Sequence, residues 1–225
     1  MLPAVNPTPT QTPEFVKQIE AAGALFDKAN VVGVYCAHGT FAGNDALGLL
    51  TELARFAPGV SKSLSRLGKQ TVDWVAGETG NYTPAYVSTM QKGLSAGAER
   101  TIPVRLFNWS SQNNHIGRAD GAVRLLDEVA RFAESLELDE FSPAGPPRIV
   151  LWGHSHGGNV FSLLTNLLGS DSETRREFFK ASRSFYQPCI RNNVDLPVWP
   201  RVIDLLENPD HPLRRVALDV VTFGT

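Results

Sequence analysis

The stretch "LWGHSHGGNV", residues 151–160, sets a serine at the junction of two different structural patterns. Residues 148–152 form a short apolar run, which is typical of a buried parallel strand. Residues 159–169 place apolar side chains at helical spacing and end in a glycine, which predicts a helix. Ser155 therefore falls in a strand-to-helix turn, and this junction predicts an α/β fold.

Small residues surround Ser155 at the spacing that a sharp turn requires. Gly153 and Gly157 stand two positions before and after it, where the chain must double back on itself. Such a turn presents a serine hydroxyl over the carboxyl edge of a sheet, beside a helix N-terminus that attracts negative charge. Two interpretations follow: Ser155 is a nucleophile, or His154 and His156 are a metal-binding pair.

Strand-type and helix-type segments alternate along the remainder of the chain. Strands are predicted at 31–36, 102–111, 148–155 and 216–225, and helices at 13–29, 44–56, 61–98 with a fresh start at Thr83-Pro84, 118–136 and 159–169. This order predicts an α/β fold: a mostly parallel sheet with helices on both faces.

The chain is predicted to form one domain with two special segments. Residues 1–13 are rich in proline and predict a flexible leader, and residues 14–225 form the domain. Residues 170–215 are far longer than an ordinary connection and predict a cap or lid before the last strand. Phe178 and Phe179 in this segment either form an acyl-binding wall or pack the lid onto the core.

Composition limits the classes of partner. The 225 residues carry a formal net charge of −2 without a dense Lys/Arg run, which gives no basic footprint for nucleic acid. No secretory signal pattern and no apolar stretch of about 18 residues occurs, so a soluble cytoplasmic protein without integral membrane association is expected. Cys36 and Cys189 lack motif spacing and are expected to be free thiols.

At two motifs the sequence resembles the α/β-hydrolase family, in particular its lipase- and esterase-like members. "GHSHGG" (153–158) resembles the nucleophile elbow of that family, and "HGTF" (38–41) resembles its oxyanion loop. The resemblance covers residues 30–225. It implies a serine hydrolase that acts on a small-molecule acyl ester, thioester or lipid substrate, with neither a cofactor nor a metal.

The resemblance also implies roles for individual residues. Ser155 is expected to be the nucleophile, and the backbone N–H groups of His156 and Thr40 are expected to form the oxyanion hole. His38 is expected to be structural, and the side chains of His154 and His156 to point away from the serine hydroxyl. The residues expected to line the substrate site are Phe41, His115, Phe178 and Phe179.

The family's acid and histidine have no obvious counterpart after Ser155. The predicted strands match the third to the sixth of the family, so both groups are expected beyond Thr225, and the chain is expected to be a C-terminally incomplete hydrolase with an unpaired apolar sheet edge. Inside the chain, His115 is the better substitute base. Asp210 and His211 precede the last strand, at the wrong end of the sheet, and a turn capped by Asp210 is expected there.

Two rival functions stay open at the level of sequence. "GHSH" after a strand also resembles the last ligand motif of calcineurin-like metallophosphoesterases, but the earlier Asp-x-His, Gly-Asp and Asn-His elements of that family do not occur. A hydrolase-like scaffold that binds a ligand without turnover is the non-enzymatic alternative. Substrate identity and acyl length depend on loops and are not predicted.

Overall fold

The computed structural model describes residues 12–39, 82–110, 114–141, 145–186 and 198–223. The strands are β1 (Val31–Ala37), β2 (Val104–Phe107), β3 (Arg148–His154) and β4 (Ala217–Phe223). The helices are α1 (Pro13–Lys28), α2 (Pro84–Ala96), α3 (His115–Glu134), α4 (Gly157–Gly169), α5 (Ser172–Tyr186) and α6 (Val198–Glu207), with short 3-10 helices at Leu138–Phe141 and Pro212–Arg215. The predicted helix at 44–56 and residues 61–81 of the predicted helical segment 61–98 lie outside the described residues.

The four strands form one sheet in the order β2-β1-β3-β4, and all neighbouring pairs are parallel. Tyr35 of β1 lies opposite Leu151 of β3, and Leu151 lies opposite Val220 of β4. Every residue of β1 is buried, as expected for a central strand of a parallel sheet. The predicted α/β class with a parallel sheet is therefore confirmed.

Helices cover both faces of this sheet. Tyr35 and Phe107 point into a core shared with α3, α4, α5 and α6, which we call the α3 face. Val34 and Cys36 point into a second core shared with α1 and α2, which we call the α1 face. The alternation along β1 follows from the two-residue period of a strand, which sends successive side chains to opposite faces.

The order in which the chain adds strands to the sheet reverses at β1, and the place where β1 and β3 meet is called the reversal point below. From β1 the chain reaches β2 on one side by way of α2, on the α1 face, and then reaches β3 on the other side of β1 by way of α3, on the α3 face. The carboxyl ends of β1 and β3 are therefore neighbours, while the next described helix after each strand, α2 and α4 respectively, lies on opposite faces. In open α/β sheets such a reversal leaves a crevice where ligands bind.

Helix starts show which local signals determined the boundaries. Thr12 and Thr83 cap α1 and α2 by accepting from the backbone N–H three residues later, at 3.3 and 3.1 Å, which confirms both predicted starts. The predicted start of α3 at residue 118 is wrong. Asn114 accepts from Gly117 N at 2.7 Å, so this helix begins at His115.

The described part of the predicted lid packs onto the α3 face of the sheet. Arg175 of α5 donates from three guanidinium nitrogens to the carbonyls of Leu167, Leu168 and Leu206, at 2.8, 2.8 and 2.9 Å. These carbonyls end α4 and α6, so one side chain satisfies acceptors that two helix C-termini leave open. The assignment of residues 170–215 as a cap or lid stays a prediction.

β4 is the last strand of the described sheet on its side. Its partner is β3, and Asp219 of β4 accepts two hydrogen bonds from Arg148 of β3, at 2.7 and 2.5 Å. Val220 and Phe223 are 44% and 42% exposed, because they are apolar side chains on an outer strand of the described sheet. None of the described helices has the length and apolarity needed to cross a bilayer.

Candidate functional site

Ser155 adopts a backbone conformation that side chains other than glycine rarely take. Its φ is 50°, in the left-handed region, directly after β3 and before α4. Such a conformation costs about 1–3 kcal/mol and persists only when its surroundings hold it. Here Ser155 N donates to Phe223 O at 2.8 Å, and Ser155 O accepts from Gly158 N at 2.9 Å. The turn at 153–157, called the elbow below, is thus held on both sides of the serine.

Three glycines surround the elbow because there is no room for a side chain. A Cβ at Gly153 would come within 2.6 Å of the Phe161 ring, and one at Gly157 within 2.5 Å of Ala37 O. A Cβ at Gly39, after β1, would come within 2.8 Å of Ser155 Cβ. The spacing G-x-S-x-G therefore reflects close packing of α4 against β1 and β3.

His38, at the end of β1, is held inside the protein. It is 6% exposed, its Nδ1 lies 2.8 Å from Gly39 O, and its ring stacks on Trp109 with centroids 6.3 Å apart. Because a carbonyl can only accept, Nδ1 carries the hydrogen. Burial lowers the pKa of His38, which favours the neutral ring. Trp109 Nε1 in turn donates to His38 O at 2.9 Å, so this tryptophan holds the backbone of His38 in place.

The side chain of His156 is oriented differently from the sequence-based expectation. The expectation that its side chain points away from the serine hydroxyl is wrong, since His156 Nδ1 lies 3.3 Å from Ser155 Oγ. His156 is the N-cap residue of α4, yet its ring makes no cap hydrogen bond to the helix. The carbonyls of Ser155 and His156 accept from the N–H groups of the first turn instead.

His154, the other flanking histidine, has a different environment. It is the last residue of β3, and within the described part of the chain no hydrogen-bond partner reaches its buried Nδ1. The two histidines that enclose Ser155 in the sequence are therefore not equivalent, and one of them contacts the hydroxyl. Among the described residues, no three His, Cys, Asp or Glu side chains cluster as a metal ion would require.

The remaining predicted site residues are spread over several elements. Thr40 and Phe41 lie outside the described residues. His115 is the exposed first residue of α3, in the loop region after β2. Phe178 is half-buried, whereas Phe179 is 5% exposed and meets Trp199 edge to face at 5.7 Å. Phe179 therefore packs in the core, and a role of these residues in lining the substrate site stays a prediction.

His211 lies at the amino end of β4, as the sequence indicated. Its Nδ1 accepts from Leu213 N at 3.1 Å, and its Nε2 lies 3.0 Å from Glu134 Oε1. The expected cap by Asp210 is wrong: His211 caps the 3-10 helix that follows, and Asn208 Oδ1 accepts from Asp210 N at 2.9 Å. Both nitrogens of His211 are used in holding this turn.

Two site features were not singled out by the sequence. Gly39 belongs to the motif "HGTF", which does not indicate its role: its lack of a side chain leaves room for Ser155. Trp109 was part of a predicted strand, and nothing in its pattern indicated the bond to His38 O.

No protein-family model, curated protein or solved structure gives a significant match to this chain.

Proposed function

We propose that the chain is a serine hydrolase that acts on carboxylic esters or thioesters, with Ser155 as the nucleophile. The observation that carries the proposal is the left-handed Ser155, φ 50°, at the reversal point of the sheet. A strained serine between β3 and α4 is the arrangement that exposes a hydroxyl to substrate in α/β hydrolases. The crevice between the ends of β1 and β3 is where a ligand would reach it.

The proposed chemistry is acyl transfer in two steps. Ser155 Oγ attacks the carbonyl carbon of the ester, a C–O bond forms, and the hydroxyl proton passes to a base. The oxyanion accepts from the backbone N–H of His156 and from that of Thr40, and the alcohol leaves with a proton. Water then attacks the acyl-enzyme, releases the acid and restores the serine. Neither a cofactor nor a metal takes part.

The surroundings of Ser155 favour an uncharged acyl substrate. The ring of Phe223, whose carbonyl accepts from Ser155 N, lies 5.0 Å from the ring of Trp152, and Trp109 donates to the carbonyl of His38. The nearby His38 is a buried histidine whose pKa is lowered, so it offers no positive charge for an anionic group. A small-molecule acyl ester or a lipid is therefore the proposed substrate class.

Release of nitrophenol from nitrophenyl acetate and butyrate tests this function. Ser155→Ala should lower kcat/KM by at least about 10³-fold, because the covalent step is lost. Ser162→Ala is the matched control: this exposed hydroxyl of α4 donates to Gly158 O at 3.1 Å and takes no part in the chemistry. Unchanged hydrolysis in Ser155→Ala would contradict the proposal. A folded wild-type chain without hydrolysis would favour the binding scaffold instead.

A further inference from the structure

His156 is the residue whose position the proposed function does not yet explain. Its imidazole Nδ1 is 3.3 Å from Ser155 Oγ, and this contact joins neighbours in the sequence. Side chains at adjacent positions of a helix do not face each other. The left-handed φ of Ser155 rotates the chain between the two residues, which brings the ring and the hydroxyl to the same side.

From this geometry we infer that His156 is the general base of the site, accepting the Ser155 hydroxyl proton at Nδ1. The inference rests on the proposed hydrolase function and adds the group that activates its nucleophile. Oγ–H donates to Nδ1 when the neutral ring carries its own hydrogen on Nε2. As Oγ attacks the carbonyl carbon, its proton moves to Nδ1. The leaving alcohol takes that proton. In the second step, Nδ1 accepts a proton from the attacking water and returns it to Ser155 Oγ as the acid is released.

The distance between His156 Nδ1 and Ser155 Oγ is close to that between a general base and its partner. Hydrogen bonds between a catalytic base and its partner are commonly 2.6–3.2 Å, and they are often longer in the free enzyme than with substrate bound. A separation of 3.3 Å therefore needs only a small closure.

The environment of Ser155 also separates His156 from the neighbouring histidine. His154 is a β-strand residue whose Nδ1 is buried, and no partner within the described residues satisfies that atom. Among the described residues, the hydroxyl is therefore approached by Nδ1 of His156, at 3.3 Å, and not by Nδ1 of His154. His154→Ala is thus the matched control, because it removes an imidazole at the same sequence distance from the serine.

The test is the rate constant for covalent labelling of Ser155 by a fluorophosphonate, measured on the full chain. His156→Ala should label about 10²- to 10⁴-fold more slowly than wild type, the usual contribution of a general base. Added imidazole should restore part of that rate, because it supplies the missing base. His154→Ala should stay within about threefold of wild type, a difference of less than 1 kcal/mol in the barrier.

A second variant distinguishes loss of the general base from loss of the fold. His156→Gln keeps a polar side chain but cannot accept a proton, so it should be as slow as His156→Ala while its thermal melting stays cooperative. If wild type is labelled and both variants are labelled at the same rate as wild type, His156 is not the general base, although Ser155 remains the nucleophile. Slow labelling that imidazole does not restore would also overturn the assignment of His156 as general base, by showing that the ring only supports the turn. Absence of labelling in the wild type would instead refute the proposed function.

Discussion

Replacement of Gly157 by alanine tests whether close packing at the elbow determines the position of the serine. The added Cβ would lie 2.5 Å from Ala37 O and 3.0 Å from His38 O, both backbone atoms that cannot rotate away. A carbon and a carbonyl oxygen normally approach to about 3.3 Å, so α4 and the end of β1 must separate by close to 1 Å. The elbow lies between them and has to move with them.

The expected cost has two parts. Overpacking of this kind destabilises a protein by about 1–3 kcal/mol, and the better helix propensity of alanine offsets at most about 1 kcal/mol. We expect a net loss of about 1–2 kcal/mol, which lowers Tm by about 2–8 °C in a chain of this size. The labelling rate of Ser155 should fall by about 100-fold, because a displacement near 1 Å at a reacting group has that effect.

Gly169→Ala is the control, because it makes the same substitution at the other end of the same helix. A Cβ there meets nothing within 4 Å. We expect unchanged labelling and a stability gain of no more than about 1 kcal/mol. Thermal melting followed by circular dichroism gives Tm, and labelling by a fluorophosphonate gives the rate. If Gly157→Ala labels as fast as wild type, or if Gly169→Ala is equally impaired, the packing explanation of the elbow is wrong.

Three further predictions concern residues around and away from the site. Trp109→Phe should cost about 1–3 kcal/mol in a denaturant titration and slow labelling, because the buried carbonyl of His38 loses its donor; an unchanged midpoint would refute this. Arg175→Lys should cost about 1–3 kcal/mol at unchanged labelling, since one ammonium cannot reach both helix ends, whereas exposed Arg176→Lys should be neutral. Burial raises the pKa of Cys36 from 9.0 to about 12, so the folded chain should lose stability between pH 9 and 12, and Cys36→Ala should lessen that loss.

The sequence predicted the strands and their carboxyl-edge turns because those signals are local. Each signal acts over only a few residues. The apolar run and Gly153 act beside Ser155, and Thr12 and Thr83 each cap the helix that begins directly after them. Such signals fix elements and their order, and a βαβ order predicts a parallel sheet. The start of α3 carries a local signal as well, because Asn114 is an ordinary N-cap residue.

The unpredicted features depend on contacts between distant segments or on backbone geometry. The bond from Trp109 Nε1 to His38 O joins residues 71 positions apart, and no periodicity reports it. The contact of His156 with Ser155 depends on the positive φ of the serine, which reverses the rule that neighbouring side chains diverge. The burial of Phe179 against Trp199 likewise follows from how α5 and α6 pack together.

The most direct test of the central claim is the mass of the folded chain after reaction with a fluorophosphonate, followed by peptide mapping. The account predicts one adduct per chain, located on the peptide that contains Ser155 and absent after Ser155→Ala. It would be contradicted by a folded chain that stays unmodified under conditions that label a serine esterase, or by an adduct on a different serine.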